Sequence, residues 1–185
     1  MFGLPLKESA TLERLRRAHA GELLALVEES RPGLQPWMPW IDQLRGIEDA
    51  QEFIDSAALL HAENEAVTAG IWENGRLAGA IGFHEIDWRN RAAQIGYWLG
   101  RPFEGRGLAT LAARAFVDYA FAELKLNRIE IRCAADNRRS RSVPERLGFT
   151  LEGMLRRAER LDAVYADHAV YGMLAEEWDA KRPPF

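Results

Sequence analysis

Read for polarity alone, the 185-residue chain changes rhythm partway along. From Ala18 to Glu29, Leu23, Leu26 and Val27 share one face of a helix. That helix is expected to stop before Arg31-Pro32-Gly33, where proline and glycine disfavour continuation. A loop holding Trp37-Met38-Pro39-Trp40 follows. Ile47, Ala50, Phe53, Ile54 and Ala57 then keep a 3.6-residue period and predict a second helix ending at His61. Glu48, Asp49 and Glu52 occupy its first turns, where the helix dipole favours acids.

The period then shortens to two. Ala66 to Trp72 and Arg76 to Phe83 read as strands joined by Asn74-Gly75, a strong hairpin turn. Gln94 to Leu99 is a further strand, alternating at Ile95, Tyr97 and Leu99. A long helix runs from Gly107 to Lys125, polar at Thr110, Arg114 and Asp118. In the strand from Arg128 to Ala134, Ile129, Ile131 and Cys133 alternate with Arg128, Glu130 and Arg132, so Cys133 is expected to face the core. Arg141 to Leu147 predicts a short helix ended by Gly148, and strands follow over Phe149 to Glu159 and Tyr165 to Leu174. The ends, with Pro5 and Pro183-Pro184, are expected to fray.

A strand, a long helix and a strand imply a parallel pair with a right-handed crossover. The fold class is therefore α/β (α+β): a mixed, mostly antiparallel central sheet with flanking helices. Residues 1–185 show no repeat, low-complexity tract or linker and read as one domain.

Composition narrows the function. Lys and Arg total 24 against 28 Asp and Glu, a net charge of −4, which argues against a nucleic-acid partner. The lone Cys133 excludes an internal disulfide and any zinc site built from several thiolates, and no metal is expected. No apolar run approaches the roughly 18–20 residues that span a bilayer, and the first residues lack a basic and apolar leader. A soluble cytoplasmic protein with no membrane partner is the expectation.

Gly100-Arg101-Pro102-Phe103-Glu104-Gly105-Arg106-Gly107-Leu108-Ala109-Thr110 leaves a strand and opens the longest helix. Glycines there let backbone approach a ligand, and free N–H groups at the helix start suit a phosphate or pyrophosphate. A P-loop fails because Leu108 follows Gly107. A dinucleotide fingerprint starting at Gly105 meets Thr110 in place of its third glycine, in poor context after an antiparallel meander. An acyl-CoA pyrophosphate loop and a glycine-rich turn without ligand remain.

The later segment Asn137, Ser140 and Leu147-Gly148-Phe149 bears on that choice. Together with Glu104-Gly105-Arg106-Gly107-Leu108-Ala109 it resembles the GNAT superfamily of acetyl-CoA-dependent N-acetyltransferases, whose pattern is Q/R-x-x-G-x-G/A followed by Asn-x-x-Ser and Leu-Gly-Phe. Glu104 departs from that pattern. An acid beside a pyrophosphate is unfavourable, so its side chain is expected to turn away. Arg31-Pro32, Trp37 to Trp40, Glu48-Asp49, Phe53-Ile54, Gly96-Tyr97-Trp98-Leu99 and Leu151 to Arg156 resemble the RimJ/RimL-like branch, which acetylates protein N-termini, ribosomal proteins being its clients.

The resemblance implies a splayed parallel strand pair with acetyl-CoA as cosubstrate and no metal. The cofactor-binding positions would be Leu99, Glu104, Gly105, Arg106, Gly107, Leu108, Ala109, Thr110, Asn137 and Ser140. Ser140 also suits the N-cap of the short helix, and the resemblance makes it the proton donor to the CoA thiolate. It makes Glu159 the general base, with Glu85 and His84 as runners-up, and places Trp37 and Trp40 at the acceptor. The expected reaction is acetyl transfer to a protein N-terminal α-amino group by direct attack in a ternary complex. The alternatives are a small-molecule amine such as an antibiotic or polyamine, or a non-catalytic acyl-CoA sensor; dimers are common in the branch, so a homodimer is an expected partner state.

Charge is unevenly spread. From Arg138 to Arg160 seven arginines stand against three glutamates, a local net of +4, leaving −8 for the rest. A concentrated positive field there would favour the phosphates of CoA and an acidic acceptor.

Overall fold

The computed structural model describes residues 2–161 and 164–181, so Pro183 and Pro184 lie outside the described residues. Its centre is an eight-stranded sheet in the order β1-β2-β3-β4-β5-β6-β8-β7. The strands are β1 (Leu4–Lys7), β2 (Ala10–Glu13), β3 (Val67–Glu73), β4 (Arg76–Asp87), β5 (Ala92–Leu99), β6 (Arg128–Ala134), β7 (Thr150–Leu161) and β8 (Val164–Leu174). The helices are α1 (Ala20–Leu34), α2 (Ile47–Ala62), α3 (Leu108–Ala122), α4 (Arg138–Arg146) and α5 (Ala175–Lys181). This is the mixed, mostly antiparallel sheet expected, and among the described residues the one parallel pair is β5 with β6.

That parallel ladder is short. It joins Ala92 to Arg128, Ala93 to Ile129 and Gln94 to Glu130, and then stops. On their outer sides both strands stay paired to their ends, β5 with β4 as far as Leu99↔Gly79 and β6 with β8 as far as Ala134↔His168. Residues 95–99 and 131–134 therefore part in a V, held open from outside. The α3 crossover fills one face of the sheet: Ala112, Ala113, Phe116, Val117 and Ala120 are fully buried, and Phe116 meets Phe83 at 5.0 Å between ring centroids.

Four local expectations are corrected. The α1 helix does not stop before Arg31 but runs through Pro32 to Leu34. Losing one N–H is offset because the Arg31 guanidinium donates to the carbonyls of Ile41 and Leu44, each at 2.6 Å, and Leu34 is buried. Pro39–Gln43 forms a 3-10 turn where a loop is expected. The N-terminal end holding Pro5 is not frayed: β1 and β2 form a hairpin, and β2 pairs with β3 from Ala10↔Glu73 to Glu13↔Gly70. Strands of four residues are too short to show a period. Helix α4 begins at Arg138, three residues early, because Asn137 caps it. Helix α5, absent from the sequence reading, docks on α3 through the Trp178 indole, which donates to Asp118 Oδ1 at 2.9 Å.

Phe116→Ala should cost about 3–5 kcal/mol, since a buried ring is lost between sheet and crossover. Urea unfolding measures this; a loss within error would mean that the α3 face is not the core.

Candidate active site

The V between β5 and β6 opens into a cavity of about 1760 Å³. Its walls come from the α1–α2 region, the ends of β4, β5 and β6, the start of α3 and α4, and the β7–β8 hairpin. Trp37, Trp40, His84, Leu99, Glu104, Gly105, Gly107, Leu108, Ala109, Thr110, Asn137, Ser140 and Glu159 all line it. Arg106 and Glu85 do not.

The glycine loop is built by backbone conformation. Gly105 and Gly107 have φ of +73° and +76°, left-handed values that side chains rarely adopt, and a Cβ on either would point into open space. Gly107 is the N-cap of α3, so the N–H groups of the first turn lack intrahelical partners and sit beside the cavity. This bare N-terminal turn at a cleft wall fits a pyrophosphate.

The charged side chains of the loop are held in ion pairs, Arg106 away from the cavity and Glu104, against expectation, across it. Arg106 donates to Glu73 at 2.7 Å and lies over the Phe103 ring, 5.6 Å from its centroid. Of the expected cofactor positions, Arg106 thus offers backbone only. Glu73 is buried and also accepts from Lys7 at 2.8 Å, which ties the loop to the N-terminal hairpin. The Lys7 ammonium first, and the Arg106 guanidinium with it, hold the Glu73 carboxyl below the usual carboxylate range, against burial that pushes it up. Glu104 is paired with the Arg139 guanidinium, so the acid that departs from the family pattern is neutralised from the opposite wall.

At the head of α4 the capping role belongs to Asn137, not Ser140. The Asn137 side chain accepts the Ser140 N–H at 3.1 Å. This frees the Ser140 hydroxyl, whose Oγ lies 3.4 Å from Tyr97 Oη. Cys133 is buried as expected, yet it also lines the cavity. Burial pushes its thiol pKa up, which suits an inert wall rather than a thiolate nucleophile.

Glu159 faces the cavity from β7 and meets His168 Nε2 on β8 at 2.9 Å. Its aim depends on a bulge. Leu155 pairs with His168 and Glu159 with Ala166, so β7 spends two extra residues there. Arg157 takes a left-handed φ of +52°, and its N–H donates to Asp167 Oδ1 at 2.7 Å. His168 and the bulge were missed in sequence, where two polar residues nine apart carry no signal. Across the cavity, His84 stands over Gly96, where any Cβ would lie 2.0 Å from its Nε2. Partial loss of hydration lowers the His84 imidazole below its ordinary value. Trp40 stacks on Phe53 at 5.5 Å, and Asp49 and Glu52 of α2 reach the same wall.

A cleft between splayed parallel strands, with a bare helix N-terminus at its mouth, fits an acyl-CoA-dependent transferase. The chain matches the acetyltransferase (GNAT) domain family over residues 10–150 and is a member of it. It is 34% identical over 183 residues to YdaF of Bacillus subtilis (strain 168), covering 98% of this chain and 100% of that protein. It is 30% identical over 173 residues to the ribosomal-protein-serine acetyltransferase of Escherichia coli (strain K12), covering 94% of this chain and 97% of the other. Among solved structures it is similar to RimL, a ribosomal L7/L12 α-N-protein acetyltransferase in complex with coenzyme A, with a TM-score of 0.90 and 29% identity over 94% of this chain and 98% of that one. The protein is an acetyl-CoA-dependent N-acetyltransferase.

The Glu73 pair makes stability depend on pH. The unfolded carboxyl holds its proton more readily than the folded one, so the contribution is complete above about pH 4.3 and drains as pH falls through the lower folded value. Glu73→Gln should therefore cost about 1–3 kcal/mol near neutrality and progressively less in acid. Thermal unfolding across pH reads this; an equal loss at every pH would disprove the linkage.

Proposed function

We propose that the acceptor is the N-terminal α-amino group of a protein of the ribosomal type, acetylated by direct attack in a ternary complex. The observation that carries this reading is that Glu159 of β7 and Ser140 of α4 both face the one cavity into which the V opens, a base and a proton donor bordering the space where a thioester would lie. The full-length likeness to RimL and to the ribosomal-protein-serine enzyme supports the acceptor class.

The roles follow from position. Bound acetyl-CoA supplies the acetyl group as a thioester. The α3 first turn holds its pyrophosphate, and the unpaired backbone of β5 beyond Gln94 orients it, with a backbone N–H near Leu99 polarising the carbonyl. Glu159, steadied by His168, takes the proton of the attacking ammonium, directly or through one water. Ser140 gives its hydroxyl proton to sulfur as the N–C bond forms and the C–S bond breaks. The acylated nitrogen gives up its second proton to solvent, leaving the neutral amide, while solvent returns a proton to Ser140 and removes one from Glu159. Holding both reactants in one cleft supplies the proximity term.

Trp37 and the Trp40–Phe53 stack would flank the incoming terminus, with Asp49 and Glu52 beside them. Asp49 is occupied as the α2 cap, accepting the Arg45 and Gly46 N–H groups at 2.9 and 2.8 Å. The arginines reaching the cavity, Arg101, Arg132, Arg139 and Arg146, suit the phosphates of CoA. The notion of an acidic acceptor rests on that field alone and meets carboxylates on the α2 wall.

An acetylation assay with acidic and basic N-terminal peptides beside small amines tests the acceptor; turnover of small amines only would overturn the protein reading. With the best acceptor, Glu159→Gln should lower kcat about a hundredfold while acetyl-CoA still raises the melting temperature as in the wild type. Unchanged turnover would remove Glu159 as base.

A further inference from the structure

We infer that Tyr97 is the positioning residue for the proton donor, holding the Ser140 hydroxyl at the inner end of the V through a two-way hydrogen bond. The inference rests on the reading of Ser140 as donor and concerns a residue that the roles above do not use.

Tyr97 lies on β5 past the last parallel pair, where the strand edge is free, and its side chain crosses the gap to α4. Its hydroxyl donates to the Ser140 carbonyl at 2.8 Å, while the Ser140 hydroxyl points back at Tyr97 Oη at 3.4 Å. These bonds join the two arms of the V at the level where it opens. The surroundings leave the serine few alternatives. Its N–H is taken by Asn137, and Ser140 lines the cavity together with Cys133.

The geometry has a chemical consequence. A serine hydroxyl rotates freely and carries one proton; the bond to Tyr97 Oη fixes the oxygen at the cavity and holds that proton until the hydroxyl turns to sulfur. Tyr97 limits that rotation, and when Ser140 has passed on its proton, the Tyr97 O–H can turn from the carbonyl to the bare Oγ and stabilise it. No proton need leave the phenol. Burial keeps the phenol neutral by raising its pKa well above the ordinary tyrosine value. A neutral donor that resists ionisation is suited to orienting a neighbour and not to acting as the acid itself.

Tyr97→Phe keeps the ring and removes both bonds. It should lower kcat roughly tenfold, the rate equivalent of one lost hydrogen bond, and leave both KM values within about twofold. Ser140→Ala should lower kcat at least as far, and the double variant should equal Ser140→Ala alone, because the tyrosine then has nothing to orient. Incorporating 3-fluorotyrosine at position 97, which restores the hydroxyl, should recover most of the rate, and this measurement stands in if the phenylalanine variant does not fold. Full kcat in Tyr97→Phe, or a drop that multiplies independently with that of Ser140→Ala, would overturn the inference while leaving the donor reading intact. Full activity in Ser140→Ala would overturn both.

Discussion

Everything in this protein that touches its chemistry depends on one interruption in backbone hydrogen bonding. Two parallel strands share three register pairs and then separate, each still anchored on its outer side. Backbone N–H and C=O groups cannot be left buried without partners, so a gap of this kind must be filled by water or by a ligand with complementary groups. An extended pantetheine chain carries amides at suitable intervals, which makes the opened ladder a binding surface in its own right. The crossover helix adds the second half of the same logic: because α3 starts where β5 ends, its unpaired first turn lies at the mouth of the gap.

The charges around the gap are arranged so that the glycine loop remains bare. Arg106, Glu73 and Lys7 form a chain of ion pairs leading away from the cavity into the N-terminal hairpin, and Glu104 is covered by Arg139. The first is largely buried at Glu73 and therefore structural; the second is exposed on the Arg139 side, where solvent weakens any ion pair. An acid in this loop is thus tolerated because its charge is met locally. It also means that the guanidiniums counted along Arg138 to Arg160 do not act as one field: Arg141, for example, is spent on Tyr171 and the Ala135 carbonyl.

Much of this was legible in the chain because the elements carrying it are long and periodic. The alternation of Ile129, Ile131 and Cys133, the Asn74-Gly75 turn and the apolar face of α3 each have a physical cause that acts over neighbouring residues. The glycine loop was readable for the same reason: conformational freedom and helix start coincide within a few positions. What escaped depends on contacts between distant segments. Arg31 is joined to carbonyls ten and thirteen residues on, which carries α1 through Pro32. Ser140 looked like a cap because serine favours that place, yet Asn137 sits three residues earlier and claims the N–H. No local rule ranks two such candidates before the turn geometry is known.

The β7–β8 hairpin shows why the proposed base is harder to find in sequence than the proposed phosphate loop. Alternation along β7 gives each residue a face, and the two extra residues between Leu155 and Glu159 leave Glu159 on the face of Leu155, but they shift the β8 residue opposite it from Val164 to Ala166 and so bring it beside His168. The left-handed Arg157 costs backbone energy that the Asp167 hydrogen bond helps to offset, so the aim of the carboxylate is maintained by residues that never approach the cavity. His168 then meets it from the neighbouring strand in the register that the bulge creates. A binding turn needs only flexible backbone and a helix end, both encoded over a few neighbouring residues. An oriented acid–base pair needs two strands in a particular register, and that is a property of the folded sheet.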